Sequence, residues 1–279
     1  MTHRGRRSRG RTGVELHWKS TLANDAHLSP VRGAVASRAY TRLVNSNRRT
    51  PAVLVTGATG NLGRAVVRAF EERGDNLLLV GSRRESLASA FGSENAQRAF
   101  APADLLEQAR VDAVVRLGIE RFGRIDILCN LAGGFRMGPP VHETRDADWD
   151  FVFDINVRTL LNTVRAVVPH MIASGGGKII NIGAHAALKG VAQMGPYCAS
   201  KSAVIRITEA MAAELREKNI NVNCVLPTVI DTPENRAAMP NADPARWVAP
   251  DDLAKVIVFL ASEGARAIHG AAIPVTGLS

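Results

Sequence analysis

From Pro51 onward, short apolar runs alternate with longer stretches in which apolar residues recur about every 3.6 positions. Short runs bounded by turn residues are typical of buried strands, and the longer stretches are typical of amphipathic helices. The predicted strands are Ala52–Thr56, Leu77–Val80, Ile125–Asn130, Lys178–Ile182, Ile220–Leu226 and Ala272–Val275. The predicted helices cover Leu62–Arg73 and approximately residues 146–173, 196–218 and 251–262, with a polar helix-like stretch after Leu77–Val80.

This alternation determines the fold class that we expect. Strands that are apolar throughout are buried on both faces, as in a parallel sheet covered by helices. Six or seven strand–helix units in about 230 residues predict an α/β fold, with one doubly wound domain over residues 49–279 and a parallel seven-stranded sheet flanked by helices. Ligands of such sheets bind at the carboxyl ends of the strands, so the residues that follow each strand are the candidates for a site.

The net charge of +9 is confined to the beginning of the chain. Residues 1–50 hold eleven Lys or Arg against Glu15 and Asp25, whereas the rest of the chain holds 24 basic and 24 acidic side chains. Because the body is neutral, nucleic acid is not an expected partner of the domain. Residues 1–48 show little periodicity and no apolar segment of a secretory signal, so we expect a basic, disordered N-terminal extension. The extension is either a dispensable tail, an organellar transit peptide or a polyanion-binding arm.

The cysteines and the hydropathy bound the compartment and the partners. Cys129, Cys198 and Cys224 are odd in number, widely spaced and set among apolar residues. This pattern predicts buried thiols in a reducing, cytoplasmic compartment rather than a disulfide framework. The spacing of cysteines and histidines indicates no metal site, and no apolar run is long enough to predict a membrane span.

The first candidate site follows the first predicted strand. Gly57, Gly60 and Gly63 stand three residues apart between Ala52–Thr56 and the helix that begins near Leu62. Glycines at this spacing let the backbone turn sharply and approach a pyrophosphate, which the N–H groups and partial positive charge of the helix N-terminus would bind. The strand before and the helix after favour a dinucleotide-binding Rossmann turn over a purely structural one. A Walker-type loop is excluded, since no Lys-Ser/Thr follows the glycines.

The end of the second predicted strand bears on the choice of cofactor. Leu77–Val80 is followed by Gly81, Ser82, Arg83 and Arg84, and no carboxylate occurs before Glu85. An acidic residue here would accept the ribose 2′-hydroxyl of NAD, whereas an arginine suits the 2′-phosphate of NADP. The sequence therefore favours NADP (NADPH); the alternative is that both arginines merely lie in solvent.

A candidate reactive pair lies on a later predicted helix. Tyr197 precedes Lys201 by four residues, so both side chains project from one face. We expect the ammonium to lower the pKa of the phenol towards neutrality, which would let Tyr197 exchange a proton with a carbonyl or hydroxyl. The spacing alone is common in proteins. Its value here comes from the glycine turn upstream.

Together with other segments in the same order, these residues resemble the short-chain dehydrogenase/reductase family over residues 51–279. The segments that carry the resemblance are Thr56–Gly63, Ala103–Leu105, Asn130–Gly133, Asn156, Tyr197 with Lys201, Pro227–Thr232 and Gly270–Gly277. The resemblance implies an NADP(H)-dependent oxidoreductase that transfers a hydride between nicotinamide and a carbonyl, quinonoid or hydroxyl group of a small-molecule substrate. The residues assigned to catalysis are Tyr197, Lys201 and Asn156. Those assigned to the cofactor are Gly57, Thr59, Asn61, Leu62, Gly63, Ser82, Arg83, Asp104, Leu105, Asn130, Ala132, Gly133, Tyr197, Lys201, Pro227, Ile230 and Thr232.

The resemblance also implies individual roles. Asp104 would contact the adenine, unless it only caps a helix. Lys201 would bind the nicotinamide ribose, and Ile230 and Thr232 would meet the carboxamide. Asn156 would hold a water in a proton relay, unless it is a satisfied polar group that kinks its helix.

Two positions depart from the family's pattern. Asn61 stands where the family usually has a third glycine, directly after Gly60. The family's catalytic serine lies thirteen residues before the tyrosine, and this chain has Ala184 there. That serine donates a hydrogen bond to the substrate oxygen, and loss of one such donor typically lowers the rate about 10²- to 10³-fold.

Three interpretations of Ala184 stay open. In the first interpretation, the substrate is one whose carbonyl needs little polarisation, such as a quinonoid ring. Residues 183–190 are similar to the corresponding segment of dihydropteridine reductases, which also lack the serine. Alternatively, His185 supplies the missing donor. In the third interpretation, the protein binds NADP(H) with weak catalysis and serves as a regulatory or scaffold module.

Substrate recognition and assembly are the least defined by the sequence. The segment after Pro227, with Pro233, Pro240, Pro244 and Trp247, predicts a substrate lid. Phe135, Met137 and Trp247 indicate either an apolar substrate pocket or plain core. The resemblance implies a homo-oligomer, a dimer or tetramer, that pairs the helices at about 146–173 and 196–218.

Overall fold

Residues 49–279 are described by a computed structural model, and the predicted extension lies outside the described residues. In this part the strands are β1 Ala52–Thr56, β2 Asn76–Gly81, β3 Arg98–Pro102, β4 Ile127–Asn130, β5 Gly177–Ile182, β6 Ile220–Pro227 and β7 Ala272–Val275. The helices are α1 Asn61–Arg73, α2 Arg84–Phe91, α3 Gln108–Phe122, α4 Asp146–Phe153, α5 Thr159–Ala173, α6 Gly195–Leu215, α7 Pro233–Ala238 and α8 Pro250–Leu260. A π-helical turn, Asp154–Arg158, joins α4 to α5. The 3₁₀ turns are Val141–Glu143, His185–Leu188, Arg216–Lys218, Pro244–Arg246 and Glu263–Ala265.

The strands form one parallel sheet in the order β3-β2-β1-β4-β5-β6-β7. The predicted fold class, a single doubly wound domain, is thereby confirmed. The order reverses between β1 and β4, where Thr56 pairs with Asn130. Ligands of doubly wound sheets bind at this reversal, beyond the carboxyl ends of the strands.

Alternation along the strands divides the core into two layers. Leu54 of β1 packs in one buried cluster with residues of α3, α5 and α6. Its neighbours Val53 and Val55 pack in the other cluster with residues of α1 and α8. Because successive side chains point to opposite faces, an apolar strand fills both layers. The sheet is therefore a rigid support for the loops at its edge.

The structure corrects the sequence prediction in two places. The prediction places one polar helix-like stretch between Val80 and Ile125, where the structure has α2, β3 and α3. The helix predicted over about 146–173 is interrupted by the π-helical turn that contains Asn156. The other predicted elements lie within a few residues of the observed ones.

Three further expectations concern the described part of the chain. Cys129, Cys198 and Cys224 are buried and unpaired, as predicted. No helix in residues 49–279 has the length and hydropathy that a membrane crossing requires. The helices predicted to pair between subunits correspond to α4, α5 and α6, and that pairing stays a prediction.

Candidate active site

The glycine turn after β1 has the close approaches that its residues predict. Gly57 has a φ of 63°, and a Cβ there would lie 2.8 Å from the Ala132 main-chain nitrogen. A Cβ at Gly63 would clash with the carbonyl oxygen of Gly57. The turn also sets the amino end of α1, which begins at Asn61, at the edge of the sheet. Glycine is required at both positions. Because these residues have no side chain, the main chain of the turn leaves room for a pyrophosphate group.

Thr56 joins this turn to the loop after β4. Its hydroxyl oxygen accepts hydrogen bonds from the main-chain nitrogens of Leu131 and Ala132, at 3.0 and 3.1 Å. It also donates to the Cys129 carbonyl oxygen at 3.4 Å. Thr56 was absent from the predicted site. Its place as the last residue of β1 was the only signal available, because its partners are more than 70 residues away.

Asn61, the departure from the family's pattern, contacts the predicted lid. Its side-chain nitrogen donates to Glu234 Oε2 at 2.7 Å, and Glu234 lies in the first turn of α7. Thr232 caps α7 by accepting from the Asn235 main-chain nitrogen at 3.1 Å, and Asn235 donates to the Ile230 carbonyl oxygen at 2.8 Å. Ile230 and Thr232, two predicted cofactor residues that follow β6, thus belong to one hydrogen-bonded segment that contacts the glycine turn through Glu234. The sequence did not predict this contact.

The end of β2 presents the two arginines differently. Arg84 pairs with Glu94. Arg83 is exposed, directly follows the exposed Ser82, and has no ion-pair partner among residues 49–279. Thr59 of the glycine turn lies close by, since a Cβ at Gly81 would be 3.5 Å from its methyl group. Arg83 is therefore the arginine that is free to meet an anion beside the turn.

The loop after β3 engages Asp104 in its own backbone. Asp104 Oδ1 accepts from the Leu106 main-chain nitrogen at 2.9 Å, which makes a local turn before α3. The carbonyl oxygen of Leu105 accepts from Asn162 Nδ2 at 2.9 Å. The loop is thus fixed at the site edge, and a contact of Asp104 with adenine stays a prediction.

The loop after β4 lies at the centre of the arrangement. Asn130 is buried and donates from its side-chain nitrogen to Asn181 Oδ1 at 2.9 Å. Three residues on, a Cβ at Gly133 would lie 2.9 Å from Asn156 Oδ1 and 3.1 Å from Lys201 Nζ. The structure therefore brings two of the three predicted catalytic side chains to Gly133.

The electrostatics of Tyr197 and Lys201 differ from the prediction. Burial raises the pKa of the Tyr197 hydroxyl to about 12. Burial also lowers the pKa of the Lys201 ammonium to about 8, and its Nζ donates to the Ile182 carbonyl oxygen at 2.9 Å. The expectation that Lys201 lowers the pKa of Tyr197 is therefore wrong for the polypeptide alone. Loss of solvent is the largest cause of both changes.

Asn156 uses its side chain to hold the loop after β4. Its Oδ1 accepts from the Gly134 main-chain nitrogen at 3.0 Å, and its Nδ2 donates to the Gly134 carbonyl oxygen at 3.0 Å. The same Nδ2 donates to Ser200 Oγ at 3.2 Å. Both amide hydrogens are engaged, so a relay water would have to bind elsewhere on this residue. The alternative of a satisfied polar group in an interrupted helix matches what the side chain does.

Asn156, Gly134 and Ser200 form a hydrogen-bonded clamp, and Ser200 was not among the predicted site residues. It is fully buried, accepts from Asn156 and donates to the Tyr197 carbonyl oxygen at 2.9 Å. We expect Ser200→Ala to lower the free energy of unfolding by about 1–3 kcal/mol, because it leaves a buried amide hydrogen of Asn156 without a partner. Chemical denaturation measures this difference.

Ser202→Ala is the matched control for that substitution. Ser202 lies on the same helix and donates to the Ala187 carbonyl oxygen at 2.7 Å, but Asn156 is not its partner. Its loss should lower the free energy of unfolding by only about 0.5–1.5 kcal/mol. Equal losses from the two variants would contradict the clamp.

Ala184 and its neighbours provide no hydroxyl beside Tyr197. Ala184 is 4% exposed and precedes the 3₁₀ turn that His185 begins. Whether His185 donates to a substrate stays a prediction. Of the residues that indicated either pocket or core, Trp247 is 9% exposed and belongs to the interior, whereas Phe135 is 55% exposed.

A cavity of about 520 Å³ lies on the loop that follows Phe135; Met137 lines it, but none of the predicted catalytic or cofactor-binding residues does. Asp148 in its wall accepts from both Arg136 and Arg145, at 2.6 and 2.7 Å. These arginines hold the pKa of the Asp148 carboxyl below its usual value. Because Arg136, Arg145 and Asp148 pair with one another, we place the catalytic and cofactor-binding residues at the strand ends and not in this cavity.

Comparison with known proteins identifies the family of this chain. The family model for short chain dehydrogenases matches residues 51–243. D-threitol dehydrogenase of Mycolicibacterium smegmatis is 35% identical over 237 residues, which are 80% of this chain and 90% of that protein.

Two solved structures have the same fold. The gluconate 5-dehydrogenase of Burkholderia cenocepacia, in complex with NADP and tartrate, aligns with a TM-score of 0.75 and 30% identity over 82% of this chain and 95% of that one. An NAD⁺-bound xylitol dehydrogenase aligns with a TM-score of 0.75 and 27% identity over 83% of this chain and 99% of that one. This chain therefore belongs to the short-chain dehydrogenase family of oxidoreductases.

Proposed function

We propose that the protein is an NADPH-dependent reductase in which Tyr197 gives a proton to the substrate oxygen. The observation that carries the proposal is that Lys201 Nζ and Asn156 Oδ1 converge at Gly133. Gly133 lies on the loop after β4, the strand that pairs with β1 and so lies next to the glycine turn. When bound, a reduced nicotinamide would supply the hydride. The glycine turn, Gly133 and Lys201 would hold the cofactor beside the helix that carries Tyr197.

The preference for NADPH is supported by Arg83. This guanidinium is exposed beside the glycine turn and, unlike Arg84, pairs with no acidic residue in the part of the chain that the structure describes. A phosphate accepts charge-assisted hydrogen bonds from a guanidinium, and the three residues after β2 include no carboxylate that could accept a hydrogen bond from a ribose hydroxyl. Relatives with NADP and with NAD⁺ are both known, so the family alone does not decide the cofactor.

The direction of the reaction is supported by the protonation states. With a pKa of about 12, the Tyr197 hydroxyl is protonated at neutral pH and can donate a proton. With a pKa of about 8, Lys201 is an ammonium at neutral pH, in an excess of about ten to one. A hydroxyl that is protonated at neutral pH holds the proton that the substrate oxygen takes up in a reduction.

Arg83→Ala tests the cofactor. We expect it to raise the Kd for NADPH about 10- to 100-fold, since a charge-assisted hydrogen bond contributes about 1.5–3 kcal/mol. The Kd for NADH should change less than about threefold. Fluorescence titration with each nucleotide measures both values. Arg84→Ala is the control and should change neither, because Glu94 already pairs with Arg84.

Turnover tests the reductase itself. NADPH oxidation should be measured with ketones, quinones and quinonoid dihydropterin as substrates. Tight NADPH binding without turnover of any of them would favour a binding module over an enzyme. If Arg83→Ala leaves the affinity for NADPH unchanged, the role of Arg83 in cofactor choice is contradicted, while the proposed reductase activity is not.

A further inference from the structure

An exposed aromatic side chain lies against the proposed proton donor. The rings of Phe135 and Tyr197 are 4.9 Å apart between centroids and meet edge to face at 86°. Phe135 is 55% exposed, although it is one of the larger apolar residues of the chain. It therefore presents apolar ring surface to whatever approaches the Tyr197 hydroxyl.

The main chain on both sides of Phe135 is held by hydrogen bonds. Gly134, its neighbour, is held through both main-chain groups by Asn156. On the other side, the Gly138 main-chain nitrogen donates to the Gln193 carbonyl oxygen at 2.8 Å, which ties this loop to the segment before α6. A side chain held in place before binding loses little conformational entropy when a ligand contacts it.

The loops that flank Phe135 expose further apolar side chains. Met137 and Val141, on the same loop, are 57% and 68% exposed. Leu188, in the facing loop before α6, is 54% exposed. Val141 lies against α6, since a Cβ at Gly195 would be 2.7 Å from its methyl group. Exposed apolar side chains that group together mark a binding surface more often than scattered ones do.

We infer that the substrate is a carbonyl held in, or conjugated with, a planar apolar ring, and that Phe135 determines this specificity by packing against the ring. The inference rests on the proposed reductase function. A conjugated ring carbonyl also needs less help from a second hydrogen-bond donor, in keeping with Ala184 at the position where a serine is expected. The same apolar surface and the missing hydroxyl thus indicate one class of substrate.

The reaction balances with the groups named. The substrate's carbonyl carbon accepts the hydride, and the π pair of the C=O bond moves to the oxygen. The oxygen takes the proton of the Tyr197 hydroxyl, which recovers a proton from solvent. The cofactor is oxidised and the carbonyl is reduced to an alcohol by two electrons.

Two diketones that differ in the ring test the inference. Phenanthrenequinone and diacetyl each carry two adjacent carbonyls, but only the first has a planar aromatic frame. We expect Phe135→Ala to raise the KM for phenanthrenequinone about tenfold with little change in kcat, because contact with the ring is lost. The KM for diacetyl should stay within about twofold. NADPH oxidation is followed without oxygen, since the hydroxyketone formed from phenanthrenequinone tautomerises to a hydroquinone, which oxygen would reoxidise.

Phe259→Ala is the matched control, since Phe259 is 50% exposed but lies on α8, on the opposite face of the sheet. It should leave both KM values unchanged. Equal changes of both KM values in Phe135→Ala, or a change in the oligomeric mass by light scattering without a KM change, would overturn the inference. Calorimetric binding of phenanthrenequinone to the wild type and to Phe135→Ala separates the two proposals. Binding that depends on Phe135 without turnover supports the inference and contradicts only the reductase, whereas binding that ignores Phe135 overturns the inference whatever the turnover.

Discussion

Replacing Tyr197 with phenylalanine is expected to lower kcat for NADPH-dependent reduction about 10²- to 10⁴-fold, the usual contribution of a positioned general acid. The ring and its contact with Phe135 remain in this variant, so the fold and the substrate surface are kept. The Kd for NADPH should rise less than about tenfold, since at most one hydrogen bond is lost. Single-turnover kinetics and fluorescence titration measure the two effects separately.

The pH dependence of the same reaction distinguishes Tyr197 from Lys201. The pKa of Lys201 is lowered to about 8, so its ammonium is present below pH 8 and is lost above it. The Tyr197 hydroxyl, with a pKa of about 12, stays protonated over this range. We therefore expect kcat/KM for reduction to be level below about pH 7 and to fall above about pH 8, since this ratio reports the free enzyme.

The residual activity of Tyr197→Phe serves as the control for that assignment. If Lys201 causes the fall above about pH 8, the variant keeps it at a lower absolute rate. If the fall disappears with the hydroxyl, it belongs to Tyr197. That outcome would restore the lowered phenol pKa that the sequence alone suggested and would contradict the burial argument.

Local patterns explain which parts of the site could be predicted from the sequence. Gly63 must be glycine for a reason within the turn itself, since a Cβ there would meet the Gly57 carbonyl oxygen, and the spacing of Tyr197 and Lys201 follows from one helix. The strands that are apolar throughout were found for the same reason. β3 was missed because it is a five-residue edge strand, Arg98–Pro102, that begins with an arginine and ends with a proline.

Contacts between distant segments could not be predicted. The clamp of Asn156 on Gly134 and Ser200 spans 22 and 44 residues, and the bond between Asn61 and Glu234 spans 173. The direction of the Tyr197 pKa depends on how much solvent the surrounding elements exclude, which no spacing reveals. Sequence patterns identified the chemical groups, whereas the folded chain sets their hydrogen bonds and their charge.

Ala184 provides the sharpest test of what the missing hydroxyl does. The residue is 4% exposed and its backbone is extended, with a φ of −155°, so a serine can replace it without backbone strain. Its neighbour Ala186 lies two residues on, within the 3₁₀ turn His185–Leu188. A hydroxyl at either position adds one oxygen atom to the same loop. The resemblance implies that the family's serine corresponds to position 184 and not to 186, and this correspondence stays a prediction.

We expect Ala184→Ser to raise kcat/KM for simple aliphatic ketones about 10²- to 10³-fold, the usual effect of one donor to a developing oxyanion. The gain on phenanthrenequinone should be less than about tenfold, since a conjugated carbonyl spreads its developing charge over the ring. Steady-state rates with cyclohexanone and phenanthrenequinone give the comparison, and Ala186→Ser should change neither. A folded Ala184→Ser protein that binds NADPH and gains nothing on ketones would show that another group, with His185 the first candidate, already supplies the donor. The size of the gain therefore decides whether substrate choice is set by the missing hydroxyl or by the apolar surface around Phe135 alone.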